Sequence, residues 1–96
     1  MIIARIIGTT ISTLKDDRLQ TSKLLLLNPA NAAGELGGEP FIAVDLVGAG
    51  EGELVFVVQG SSARMAVGSA DAPVDAAIVG ILDSLSVEGQ TTYFKT

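Results

Sequence analysis

The stretch DLVGAGEGELVFVVQGSSAR, Asp45 to Arg64, gathers the residues whose types could do chemistry. Gly48, Gly50 and Gly52 recur at every second position, as in loops that cradle phosphate. Asp45, Glu51 and Glu53 supply three carboxylates, and Ser61, Ser62 and Arg64 add two hydroxyls and a guanidinium. Phosphate binding, acid–base catalysis and serine attack are the chemistries to weigh.

Phosphate binding fails on order and charge. A dinucleotide loop needs G-x-G-x-x-G behind a strand and opening a helix, so that pyrophosphate meets the helix N-terminus. Here the spacing is G-x-G-x-G, the run LVFVV that follows reads as a strand, and Glu51 and Glu53 would repel an anion. No G-K-[ST] is present either. The pattern reads instead as a tight connection between strands, with glycines allowing positive φ or close backbone approach. Serine attack lacks a base: the chain has no histidine and no lysine close to Ser62 in sequence. Ser61 or Ser62 is therefore expected to cap a short helix carrying Ala63 to Ala66. Arg64 reads as a surface or interface ion-pair partner. Asp45 lies inside an apolar strand and is expected to be a hydrogen-bonded or ion-paired carboxylate, an arginine from a neighbour being one such partner. Nothing in the spacing of Asp45, Glu51 and Glu53 marks an acidic site.

Composition narrows the classes further. The 96 residues fit one small domain, 1–96, near the lower limit for a self-sufficient core. Without cysteine or histidine, disulfides, thiol nucleophiles and the common zinc sites are excluded, and no cofactor or metal site is expected. Eleven acids oppose six scattered bases, giving −5, and only four aromatics are present, so nucleic acid is not an expected partner. Apolar residues make up 48% and charged ones 18%, where about 25% charged is typical. The apolar runs, such as LLLL at Leu24 to Leu27, are far below the roughly 20 residues of a membrane helix. Arg5 interrupts MIIARIIG, so it does not read as a signal peptide. A cytoplasmic, non-enzymatic protein is the expectation.

The elements that must position these residues are mainly strands. Ile2–Thr13, Lys23–Asn28, Pro40–Val47, Leu54–Gly60 and Val74–Leu85 read so by β-branched content and bounding turn residues, and Gln90–Lys95 adds a sixth. Between them lie the loops KDDRLQTS, NPANAAGELGGEP and GSADAP. The fifth segment also fits helical spacing at Val74, Ile78, Ile81, Leu82 and Leu85, against which stand Gly80 and the β-branched run around it. Several strands are apolar on both faces: Ile2, Ala4 and Ile6 against Ile3 and Ile7, and Leu54, Phe56 and Val58 against Val55 and Val57. A strand buried on one side alternates with polar residues, whereas one covered on both sides reads as a continuous apolar run. With almost no helix available, the second face is expected to be covered by another subunit.

In order and spacing the chain resembles the EutN/CcmL family of bacterial microcompartment vertex proteins, its ethanolamine-utilisation branch in particular. The likeness rests on Gly8-Thr9, KLLLL from Lys23, and D-x-V-G-A-G-x-G-E over Asp45 to Glu53. It continues through GSSAR from Gly60, PVDAAIVGILD from Pro73, and Gly89, Phe94 and Lys95 near the end. It implies a small, mainly β, OB-like five-stranded barrel with a short helix at SSARMA and a C-terminal strand or hairpin, and it tips the fifth segment toward strand. It further implies a homopentamer with a narrow axial pore, set at the five-fold vertices of a polyhedral shell whose facets are hexameric proteins. The role is then structural: a pentamer closes each vertex and helps seal the enclosed enzymes. Asp45, Gly48, Ala49, Gly50, Gly52, Glu53, Gly60, Ser61, Ser62 and Arg64 become candidates for the subunit interface or the axial pore. A monomeric OB-like module binding oligonucleotide or a small ligand is the alternative.

Overall fold

The structure, a computed structural model, describes residues 1–11, 23–69 and 71–95. Strands β1 (Ile2–Thr9), β2 (Lys23–Pro29), β3 (Phe41–Asp45), β4 (Leu54–Gln59) and β5 (Ala76–Ile81) close into a barrel in the order β1-β2-β3-β5-β4. Helix α1 (Ser61–Ala66) joins β4 to β5, and a hairpin of β6 (Ser84–Val87) and β7 (Gln90–Phe94) ends the described chain. The expected mainly β, five-stranded barrel with one short helix and a C-terminal hairpin is what forms. Residues 12 and 13 of the first expected strand, and the KDDRLQTS loop, lie outside the described residues.

Alternation builds the core. Ile6, Leu25, Leu27, Val55, Val57 and Ile78 point inward and are at most 1% exposed. Four of the five barrel seams are antiparallel; β3 and β5 pair in parallel, through Val44 with Ala77 and Asp45 with Ile78. A parallel pair needs a crossover, and here β4 and α1 provide it.

The outer face corrects one expectation. The chain covers part of it unaided: α1 and the segment behind it lay Ala63, Ala72 and Val74 over Val44 and Ala77, with Val58 packed against them. Six helical residues suffice because small side chains, Ala63 and Ala77, let helix and strand approach closely. What stays uncovered lies elsewhere on the barrel strands, at Ile7, Ile42 and Phe56, which are 39%, 42% and 38% exposed.

The fifth expected segment is strand, as the resemblance implied, but it is two strands. Leu82, 4% exposed, donates its N–H to the Leu54 carbonyl at 3.0 Å and is the last barrel residue before the chain turns away. The Lys95 N–H then closes on the Asp83 carbonyl at 2.8 Å, fixing the far end of the hairpin. Sequence periodicity carries no mark of this break, because Leu82 continues the apolar pattern.

Candidate functional site

From Gly48 to Gly52 every second residue of the loop between β3 and β4 is glycine, so its backbone is accessible, and the chain itself uses that access. The Asp45 carboxylate, at the end of β3, accepts the N–H groups of Val47 at 3.0 Å and Gly48 at 3.1 Å on Oδ1, and of Ala49 at 3.0 Å on Oδ2. Successive N–H groups converging in this way form an anion-binding concavity. The anion that fills it is the protein's own side chain, 1% exposed. Lys23 stands 3.8 Å from Oδ2 and also donates to the Ala49 carbonyl at 3.3 Å. The hydrogen-bonded, ion-paired carboxylate expected at position 45 is what forms, with three amides and Lys23 of the same chain as partners in place of an arginine. The burial of an aspartate in an apolar strand is explained locally.

Glu53 repeats the device from the other side. Its Oε1 accepts the Gly50 N–H at 2.6 Å, and its Oε2 lies 3.1 Å from Lys95 Nζ. Between these anchors the Gly52 N–H donates to Ile6 O at 2.8 Å, and Arg5 Nη1 donates to Gly52 O at 2.6 Å. The Arg5 guanidinium also lies 5.7 Å from the centroid of the Tyr93 ring, within cation–π range. Asp45 and Glu53 are therefore structural acceptors, Asp45 for three loop amides and Glu53 for one together with Lys95. Among the described residues no group of three or more metal-ligating side chains could hold an ion.

The amide of Gly50 first, and then the hydrogen bond to the Lys95 side chain, hold the Glu53 carboxyl below its ordinary value of 4.5; burial opposes them, and the attraction of the Lys95 charge adds a smaller lowering. Lys95 is shifted upward by the same pairing. A lowered carboxylate contributes stability that is complete above its unfolded value and lost as pH falls through the folded one; a raised lysine contributes below its unfolded value and loses as pH rises past the folded one. The contact is therefore strongest between about pH 4.5 and 10.5. Glu53→Gln is expected to lower the thermal midpoint throughout that window. The gap to wild type should close on acidification below it and narrow in high salt, since both side chains are partly exposed. A gap independent of pH would show that Glu53 acts through shape alone.

Ala49 turns its side chain into the barrel. Its methyl group is 2% exposed and packs into the barrel core with Leu25, Val55 and Ile78. The side chain is a plug in the barrel, which leaves the backbone of Ala49 for a subunit interface or pore. Gly60, Ser61, Ser62 and Arg64 form a separate group. The six residues of β4 lie between them and Gly52, about 20 Å at the usual rise of a strand. Neither serine caps α1. Gly60 holds that position, with φ 62° and ψ −135° and no side-chain bond, and its carbonyl accepts from Ala63 and Arg64. A serine does not readily adopt that backbone, which is open to glycine. Both serines lie exposed in the first turn. Sequence reasoning did not single out Lys23, Arg5, Tyr93 or Lys95 as loop partners; all four are distant in sequence, and only barrel closure brings them near.

Comparison with known proteins places this arrangement. The family model described as ethanolamine utilisation protein EutN/carboxysome matches residues 1–83. The carboxysome shell vertex protein CcmL of Thermosynechococcus vestitus is 42% identical over 95 residues, covering 99% of this chain and 96% of the relative. The solved structure of an ethanolamine utilization protein, EutN, superposes with a TM-score of 0.93 at 36% identity over the whole of both chains. The pentameric microcompartment shell protein GrpN of Rhodospirillum rubrum gives 0.81 at 39% identity, over 91% of this chain and 99% of that one. Identity is higher with the carboxysome protein while the backbone lies very near the ethanolamine one, so these figures do not single out the ethanolamine branch. A five-stranded barrel, a loop capped by its own carboxylates and likeness from end to end have one reading: the chain belongs to the EutN/CcmL family.

Proposed function

We propose that this chain is a non-catalytic shell protein whose residues 1–96 act as one domain, that it forms a homopentamer, and that the pentamer closes the five-fold vertices of a bacterial microcompartment in the cytoplasm. The observation that carries this reading is its coverage of a shell vertex protein almost from end to end, 99% of this chain against 96% of that one. Hexameric shell proteins are the neighbours the role requires, because a flat hexagonal layer closes into a polyhedron only with five-fold points. The reading includes no nucleic-acid partner, since a net charge of −5 disfavours phosphates, and it calls for no membrane.

In this reading the loop from Asp45 to Glu53 and the segment Gly60 to Arg64 lie at the subunit interface or around the five-fold axis. Gly50 offers the sharpest test. Gly52 has φ +88°, so its glycine is required by the protomer's own backbone. At Gly50 φ lies outside the left-handed region, and an added Cβ would meet only Glu53 Oε1 at 3.6 Å, an ordinary contact. The protomer does not need that glycine. Gly52→Ala is expected to cost about 1 kcal/mol of protomer stability, whereas Gly50→Leu should melt like wild type yet fail to form the ring or narrow its axis. Unchanged assembly and permeability would remove Gly50 from the role.

The function itself is tested by native mass and by co-expression with hexameric shell proteins. Five chains of 9.8 kDa give about 49 kDa, and closed shells should form only when this chain is present. A monomer near 10 kDa that leaves the shells unchanged would return the binding-module reading to the front.

A further inference from the structure

The hairpin β6–β7 stands apart from the barrel. Its two strands pair with each other and join no barrel seam. No residue from 83 to 95 is buried, and none belongs to the core. A two-stranded hairpin alone is marginal in water, so its place depends on what ties it down. Thr92 Oγ1 donates to Ala32 O at 2.7 Å, in the loop between β2 and β3. Further ties converge on the end of the glycine loop. Tyr93 Oη accepts the Leu54 N–H at 3.4 Å, and its ring faces the Arg5 guanidinium that holds Gly52 O. Lys95 Nζ meets Glu53 Oε2 at 3.1 Å. Gly52, Glu53 and Leu54 are thus each held from the hairpin, the first through Arg5.

The two halves of the glycine loop depend on the hairpin differently. The Asp45 carboxylate is bound by Val47, Gly48, Ala49 and Lys23, none of them in the hairpin. Glu53 has one oxygen on the Gly50 amide and the other on Lys95. A hairpin that swings away takes the countercharge from Glu53, the acceptor from the Leu54 N–H and the ring from Arg5. It takes nothing from Asp45. The hairpin also carries its own turn, Glu88 and Gly89 with φ of 51° and 80°, the positive pair of a type I′ turn. It can therefore move as one piece. The pivot lies between Leu82, still bonded to the Leu54 carbonyl, and Asp83, whose carbonyl accepts the Lys95 N–H at 2.8 Å.

We propose that the hairpin is a hinged strap: it opens at Asp83 as a unit while the barrel stays closed, and its closing sets the Gly50–Glu53 half of the glycine loop. Local opening of this kind needs few buried contacts, which is the hairpin's condition. The strap follows from the protomer alone. Its consequence, control of the backbone offered to the interface or axis, rests on the pentameric reading above.

Hydrogen exchange on the full chain, read by NMR at single amides, tests it. Thr92→Val is the decisive variant, because Thr92 Oγ1 bonds to Ala32 and Leu85, both outside the glycine loop. It is expected to speed the position-95 amide and the Gly50 amide by a common factor of about five, the worth of one hydrogen bond. The amides of Val47, Gly48, Ala49 and Leu82 should keep their wild-type rates. Lys95→Met should act on the same set by about two- to fivefold, as for a partly exposed ion pair. A fast position-95 amide beside an unchanged Gly50 amide in Thr92→Val would overturn the strap's hold on the loop. Equal acceleration at Leu82 would overturn the hinge, since the hairpin would then open only with the barrel. A position-95 amide unmoved in both variants would overturn the ties themselves. Native mass reads the pentameric reading separately, and a monomer would leave the strap to stand or fall on these rates.

Discussion

Asp45→Ala is expected to lower the stability of the protomer by about 3 kcal/mol in urea unfolding. The substitution leaves the N–H groups of Val47, Gly48 and Ala49 without their acceptor. Water can reach the first two, which are exposed, but the third belongs to a residue 2% exposed. An amide left unpaired in that setting costs its full desolvation, which makes the loss larger than the worth of an average hydrogen bond. Asp45→Asn separates charge from geometry. An asparagine oxygen can replace Oδ1 toward Val47 and Gly48, but its NH₂ would then face the Ala49 N–H, donor against donor. An intermediate loss of about 1–2 kcal/mol follows. Lys23→Met should cost less than about 1 kcal/mol, because the lysine side chain is 56% exposed and stands 3.8 Å away. An alanine variant as stable as wild type would mean that the loop keeps its shape without its internal anion.

Ala49→Leu is the second large effect, about 1–3 kcal/mol by overpacking. Ala49 is a loop residue by sequence and a core residue by position, held from three sides. Its amide is bound by Asp45, its carbonyl by Lys23, and its methyl group by the barrel interior. A leucine there has no free volume and must push the loop off the barrel. The signature is a lowered protomer melting temperature together with loss of the ring. Gly50→Leu, one position on, should lose the ring alone. If both variants melt like wild type and differ only in assembly, Ala49 is an interface residue and the plug reading is wrong.

These two experiments also separate what a reader of the sequence could know from what folding added. The alternation in KLLLL and LVFVV, the turn residues around them and the absence of histidine and cysteine are local properties. They are sufficient for a β-rich barrel, for excluding the common catalytic chemistries, and for rejecting a nucleotide loop. The ordered motifs from Gly8 to Lys95 then carry the family. The reading of two-faced strands went halfway. It recognised that the outer face needs cover, but it could not see that α1 and the segment behind it would supply part of that cover over Val44 and Ala77.

The errors share a physical cause. Serine at the start of a helix is a statistical expectation about local chemistry, and it fails here because the turn out of β4 needs a backbone at Gly60 that serine does not readily adopt. The unbroken apolar run through Leu82 hides the place where the strand leaves the barrel, because that point is set by the bond from the Leu82 N–H to Leu54, 28 positions away. The strand-rich class, the lack of histidine and cysteine and the family were legible in the chain, since each depends on residues read in local order. Three further outcomes were set by folding: Asp45 and Glu53 fill the glycine loop's amides, the Ala49 side chain is core, and particular apolar side chains stay outside. Those outcomes depend on contacts made when the barrel closes and brings together residues far apart in the chain.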